Sequence, residues 1–563
     1  MRRTRLATLA LAVLFGAAAN DYGPDPADGV SRFTPSGAFG DYLQGRFASQ
    51  HADLQTAADR LEAALTLDPG VPELTTDAFI AAVLAGRPDA VRLAASLPDN
   101  LVARLVLADW EAKSGHWAQA ESAFGTLPGG NLGQALRPLL VAWAQEGAGR
   151  SGTALATLRT AVDAGRNRPV LTLHSALIAD LAGQKEDAAR LYALARSEYG
   201  GLNIRLGQLL ASWAGRSDGP KAAEQVVDGL VAANGEMAMA RAGLLSEAAQ
   251  PAVRNATDGM AEVYLAIAST LRQQNAPELA LVMLRLALDV RPGFAAASLL
   301  LSDLQDAAKQ PAAALDTLAL VSATDALAPV VQLRRAELLD RLDRTEEASA
   351  LLEDLAREHP SRVEPLAELG DMLRRRSRFA EAAAAYSRAI ARVGTPTRAN
   401  WPLFYTRGIA LERSGHWDGA EADFLYALEL SPDQPGVLNY LGYAWADQGR
   451  NLPRARTMIE RAVEQQPDEG SYVDSLGWVM LLQGDTAGAL RNLERAVTLT
   501  PEDATVNGHL GDALEAVGRH REAGFQWRRA LLLKPEPEEE ALIRSKLRAL
   551  PAGEDAGPPP AAP

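Results

Sequence analysis

Small and bulky apolar residues return in a fixed order along nearly the whole chain. An alanine recurs at Ala57, Ala90, Ala120, Ala154, Ala188 and Ala222, then at Ala280, Ala314, Ala348, Ala382, Ala420, Ala455, Ala489 and Ala523. Most steps are about 34 residues, a period typical of helical repeats, with one wider gap between Ala222 and Ala280. The neighbours keep register. In the later repeats a glycine stands upstream (Gly370, Gly408, Gly442, Gly477, Gly511) and a bulky residue follows one helical turn downstream (Tyr386, Phe424, Ile459, Leu493, Trp527). A second alanine follows one turn further on, at Ala389, Ala427, Ala462, Ala496 and Ala530. The first repeat has the same set in Gly45, Ala57, Leu61, Ala64 and Pro69. This pattern predicts pairs of antiparallel helices, each with one apolar stripe. The small residues let two backbones approach and the large ones fill the space between them. Pro432, Pro467, Pro501 and Pro535 lack an N–H and end the second helix of their pairs.

One octapeptide is written almost twice, "SGHWAQAE" at Ser114–Glu121 and "SGHWDGAE" at Ser414–Glu421. Each copy immediately precedes or includes the recurring alanine, so it falls at the turn between two helices. Gly115 and Gly415 suit the left-handed residue that closes a helix, and the tryptophan after each is expected to cover the turn. Neither His116 nor His416 has a second metal ligand at helical spacing, which favours a structural role.

The register resembles the tetratricopeptide repeat family from about Ser36 to Pro535. The resemblance implies an all-α, right-handed superhelical solenoid of about fourteen helix pairs, with first helices lining a concave side. Residues 36–235 read as a degenerate amino-terminal array and 236–262 as an atypical joint. Residues 263–395 read as middle repeats and 396–535 as consensus carboxy-terminal repeats. Residues 536–550, "EPEEEALIRSKLRAL", read as a polar capping helix, which solenoid ends require. Residues 551–563 form a Pro/Ala-rich tail expected to be disordered.

Composition narrows the function classes. The chain has 563 residues, a formal net charge of −15 and no cysteine. Such acidity disfavours bulk binding of nucleic acid, which needs clustered Lys and Arg. The lack of cysteine removes disulfides, thiolate metal sites and lipid attachment at an amino-terminal cysteine. Residues 1–19 combine Arg2, Arg3 and Arg5, an apolar run over Leu6–Phe15 and the small residues Ala17–Ala19. These are the parts of a secretory signal peptide, followed by a linker over 20–35. The run is too short to span a bilayer. The expected address is the periplasm, without lipidation, and the alternative is the cytoplasm. No zinc-protease, phosphate-loop or nucleophile-elbow motif is present. The chain is therefore expected to be non-catalytic, with no cofactor and no metal site.

What remains is recognition of other proteins. The family resemblance assigns concave-face positions, counted from the glycine of each first helix, to Arg374, Tyr405, Asn439, Tyr443, Asp474, Trp478 and Asp512. Polar groups beside aromatic rings could pair an extended peptide and cover its apolar side chains; alternatively, Trp478 and Tyr443 pack between neighbouring helices. Residues 438–497, with "NYLGYAWADQG" and "YVDSLGWVMLLQG", resemble a branch of bacterial envelope repeat proteins. One member type of that branch is an outer-membrane lipoprotein adaptor of a carboxy-terminal processing protease, which it supplies with cell-wall hydrolases. The resemblance implies a similar scaffold here, without the lipid anchor. The alternative is an assembly factor for an envelope complex, such as polysaccharide export or outer-membrane biogenesis. Self-association into a homo-oligomer is compatible with either role.

Overall fold

The computed structural model describes residues 37–51, 53–165 and 167–550; the leader and linker expected over 1–35 and the tail over 551–563 lie outside them. The described residues form helices and turns, with no strand among them. The chain divides into two compact units at His359 and Pro360.

Unit 1 begins with six helix pairs: α1 (Ala38–Gln50) with α2 (Leu54–Leu67), α3 (Pro72–Ala85) with α4 (Ala90–Ala94), and α5 (Leu101–Lys113) with α6 (Trp117–Gly125). The other three are α7 (Asn131–Gly147) with α8 (Ser151–Asp163), α9 (Arg168–Leu181) with α10 (Lys185–Tyr199), and α11 (Ile204–Ser217) with α12 (Pro220–Ala233). A 3-10 turn over Gly235–Ala238 and a short α13 (Arg241–Glu247) follow. Three further pairs complete the unit: α14 (Ala256–Gln273) with α15 (Pro277–Val290), α16 (Ala295–Ala307) with α17 (Pro311–Ala319), and α18 (Ala328–Arg341) with α19 (Thr345–Glu358).

Unit 2 holds five pairs and a closing helix. The pairs are α20 (Glu364–Arg375) with α21 (Phe379–Ile390), α22 (Trp401–Arg413) with α23 (Trp417–Leu430), and α24 (Pro435–Asp447) with α25 (Leu452–Gln465). They continue with α26 (Gly470–Leu482) and α27 (Thr486–Leu499), then α28 (Ala504–Ala516) and α29 (His520–Leu532); α30 (Pro537–Ala549) closes the unit. The described residues thus contain the serial helical hairpins that the sequence period predicts.

The recurring glycine is where each pair locks. A Cβ placed on Gly477 would lie 2.6 Å from Cγ of Leu493. On Gly442 it would meet Ile459 at 2.8 Å, on Gly408 Phe424 at 2.6 Å, on Gly370 Tyr386 at 2.5 Å and on Gly511 Trp527 at 2.4 Å. In the five pairs of unit 2 the bulky residue of the second helix is seated on the bare backbone of the first helix. Thirteen of the alanines named above are buried. Ala222 departs from the expected register: it is half-buried, and Ala223 takes the core position. The register slips there because α12 starts at Pro220, straight after Gly219 in a left-handed conformation.

The duplicated octapeptide makes the turns expected of it. Gly115 and Gly415 have φ of 80° and 83°, and the amides of His116 and His416 return to the carbonyls of Glu111 and Leu411 at 2.9 and 2.8 Å, closing the helix with a left-handed glycine. Trp117 lies against Gly147 at the end of α7, where a Cβ would come within 2.4 Å of the ring, and Trp417 packs on the core of unit 2. There the ring seals one pair to the next. His116 is occupied by Glu111 at 2.8 Å and His416 by the Ser414 hydroxyl at 3.2 Å.

Unit 1 departs from a simple stack of neighbours. Helix α14 packs on α7 and α9, and α15 packs on α3 and α5, so a later pair covers first helices from much earlier in the chain. The sequence accounts for this, since α14 buries residues on all sides, from Ala256, Gly259 and Met260 to Tyr264, Ile267 and Leu271. A helix apolar all round must be enclosed. Gly259 is the seat for Trp143 of α7, whose indole N–H donates to Nδ1 of His174 at 2.9 Å. Burial holds the His174 imidazole down at about 3, so it is the neutral acceptor. The Tyr264 hydroxyl reaches both carboxylate oxygens of the buried Asp109 on α5 at 2.8 Å. Burial pushes Asp109 well above the usual carboxylate range, against the pull of that hydrogen bond. On α11, Arg205 holds the buried Glu262 of α14 through Nε at 2.9 and 3.0 Å.

Three outcomes test this packing. Gly477→Val should lower the stability of unit 2 by about 2 kcal/mol through overpacking against Leu493, read as a drop in the urea midpoint. Gly152→Ala, where the added methyl meets nothing within 4 Å, should leave the midpoint nearly unchanged. Tyr264→Phe strands Asp109 without its donor and should destabilise unit 1 by about 1–3 kcal/mol, measured by thermal unfolding.

Candidate interaction face

In unit 2, first helices pack on the first helix of the following pair: α20 on α22, α24 on α26 and α26 on α28. Residues one repeat apart therefore become neighbours across this row of first helices. Asn439 and Tyr443 come from α24, Asp474 and Trp478 from α26, and His509 from α28. His509 gathers Tyr443, Asp474 and Trp478. Its Nδ1 lies 2.9 and 3.1 Å from the two carboxylate oxygens of Asp474. Its ring stacks on Trp478 with centroids 4.2 Å apart and planes 14° from parallel, and the Tyr443 ring lies 6.3 Å away. Asp474 and His509 are buried, while Tyr443, Trp478 and Asn439 are half-buried. Oδ1 of Asn439 and Nε1 of Trp478 are buried without a hydrogen-bond partner.

His509 is the residue that glycine-relative counting misses. The register places Gly508 in the column of Asn439 and Asp474. Since Gly508 has no side chain, the adjacent imidazole takes over the contact. The space over Gly508 is used by α30, whose Glu539 carboxylate would be 3.4 Å from a Cβ there and accepts from the Thr505 hydroxyl at 3.0 Å. The signal was the repeat length itself, since Asp474 and His509 are separated by 35 residues.

The other expected residues lie elsewhere. Asp512 is engaged from both sides: Lys546 of α30 meets its two oxygens at 2.7 Å, and the Trp527 indole donates to it at 3.0 Å. It fastens the closing helix. Tyr405 joins an aromatic cluster, edge-on to Tyr440 at 6.0 Å and tilted to Phe424 at 6.1 Å. Burial raises its hydroxyl above the usual range. Arg374 turns back to Asp371 at 3.3 Å and to the Tyr386 hydroxyl at 3.4 Å.

The charge of His509 follows from its surroundings. Burial by itself lowers the imidazole; Asp474, with Asp512 on the same helix and Glu539 on α30, outweighs it, and the net shift is upward. A raised folded-state value contributes its stability in full below the unfolded value, near 6.5. That contribution fades as pH rises through the folded-state value. Unit 2 is therefore expected to unfold at lower urea at pH 8.5 than at pH 6. Asp474→Asn should abolish or reverse that difference, as followed by tryptophan fluorescence.

A family profile described as tetratricopeptide repeat matches residues 333–395, 405–470 and 475–538. A curated relative, TPR repeat-containing protein PA4667 of Pseudomonas aeruginosa, is 30% identical over 213 residues. The alignment takes in 38% of this chain and 35% of the relative, so the chain spans about a third of that protein's length. Among solved structures, YrrB, described as a TPR protein with an unusual peptide-binding site, is 20% identical with a TM-score of 0.28. It covers 34% of this chain and 92% of its own. The Cut9–Hcn1 hetero-tetramer structure of the APC/C is 16% identical with a TM-score of 0.36, over 92% of this chain and 97% of that one.

Proposed function

From a chain that carries tetratricopeptide repeats within residues 333–538, we propose a protein-interaction scaffold that holds an extended segment of a partner on the first-helix face of unit 2. The observation that carries this reading is the placement of two half-buried rings, Tyr443 and Trp478, on adjacent first helices around the Asp474–His509 pair. Apolar side chains of the partner would cover the exposed parts of these rings. The Asp474–His509 pair fixes the plane of the Trp478 ring by stacking beneath it. Asp512 fastens the closing helix beside this cluster.

The finer role we propose is that of an adaptor in the bacterial envelope, exported on the signal pattern of residues 1–19 and coupling a protease to cell-wall hydrolase clients. Its support is the likeness of residues 438–497 to envelope repeat proteins. None of the described helices is long and apolar enough to cross a membrane.

Cross-linking in cells with the full chain as bait should recover an envelope protease or hydrolase. Recovery of cytosolic proteins alone would remove the adaptor reading. Against the recovered partner, Trp478→Ala should weaken binding by about 2 kcal/mol if the ring is a hot spot, with an unchanged helical spectrum. Full affinity in that variant would place the partner elsewhere.

A further inference from the structure

The first-helix face of unit 2 carries a charge imbalance around its two half-buried rings. Asp447 stands one helical turn after Tyr443 on α24, on the same side of that helix, and it is exposed. Glu539 of α30 comes in from the other end. Its carboxylate accepts from the Thr505 hydroxyl at 3.0 Å and would lie 3.4 Å from a Cβ on Gly508, the neighbour of His509. Asp503 caps the start of α28 by accepting from the Val506 amide at 3.1 Å. Burial first, and then the charges of Asp447, Asp474, Glu539 and Asp503, push the Tyr443 hydroxyl above its usual range.

The positive groups within the cluster are committed. Lys546 meets Asp512 at 2.7 Å, and His509 meets Asp474 at 2.9 Å. Asp447, Asp503 and Glu539 form no ion pair among the described residues. A neutral apolar segment laid here would cover the rings and leave those carboxylates uncompensated, and an acidic one would be repelled. A long basic side chain meets both demands: its stem lies along the rings, while its head is drawn to the ring faces and the carboxylates. Arginine suits the place better than lysine, because its planar fork both stacks on rings and pairs with a carboxylate through two bonds.

We infer that the segment held on this face is basic, with an arginine side chain laid across the Tyr443 and Trp478 rings and its guanidinium turned to the carboxylates of Asp447 and Glu539. This rests on the docking face proposed for unit 2 and adds the chemistry of its occupant.

Isothermal titration calorimetry of the full chain tests it with three peptides: acetyl-Leu-Ala-Arg-Ala-Leu-amide, the same peptide with citrulline for arginine, and the same with glutamate. The arginine peptide should bind at least about tenfold more tightly than its uncharged citrulline isostere, in keeping with a charge-assisted pair, and the glutamate peptide more weakly still. Asp447→Asn alters an exposed side chain and should weaken the arginine peptide several-fold with an unchanged helical spectrum. Equal affinity for arginine and citrulline, a preference for glutamate, no saturable heat with the arginine peptide, or undiminished binding in both Asp447→Asn and Glu539→Gln would each overturn the inference. Equal affinities that Trp478→Ala still abolishes would leave the docking face standing and remove only its basic occupant. An arginine preference that survives Trp478→Ala would place the basic site away from this face. Should that variant fail to fold, the Asp447→Asn titration decides.

Discussion

The architecture depends on one steric constraint, the contact of a large side chain with the bare backbone of the facing helix. At Gly370, Gly408, Gly442, Gly477 and Gly511 even a methyl group would intrude on its partner's ring or branched chain. Close approach at these points fixes the angle and register of each hairpin. It also brings the buried alanines of the second helix against the first, where dispersion contacts accumulate. Once the hairpins have a common geometry, residues one repeat apart fall into columns along the row of first helices. The column containing Asn439 and Asp474, and the one containing Tyr443 and Trp478, exist for that reason.

The same constraint explains what could be read from the sequence. Glycine, alanine and bulky residue recur at fixed offsets, so the helix pairs of unit 2, their turns and their proline ends were legible almost residue by residue. The left-handed turns at Gly115 and Gly415 were legible for the same reason. The single slip, at Ala222, arose where Gly219 and Pro220 restart a helix one residue out of step. Long-range closure was not legible. The gap between Ala222 and Ala280 marked an irregular joint, but periodicity carries no information about which distant surface an all-apolar helix such as α14 will cover.

Legibility at the interaction face was mixed for a related reason. Counting from the glycine picked out Tyr443, Asp474 and Trp478, which meet around His509, because column membership is a matter of register. It could not show that Asp512 would be claimed by Lys546, since α30 lies beyond the repeating pattern. Nor could it promote His509, which acts from a neighbouring position only because Gly508 leaves the column empty. Register predicts where a side chain starts, while its partners depend on what the adjacent elements leave unfilled.

The Tyr264–Asp109 contact joins residues 155 apart in sequence. In an open array each repeat touches only its neighbours, so structure can spread from any point and melt from the ends. Unit 1 lacks that freedom: α3, α5, α7 and α9 keep part of their apolar surface uncovered until α14 and α15 have been synthesised and docked. Its assembly carries the entropy of closing a very long loop, and its loss of structure should be concerted, whereas the last hairpins of unit 2 can fray one by one. Within one chain, a common repeat has thus produced a block that forms all at once and an array that can yield locally.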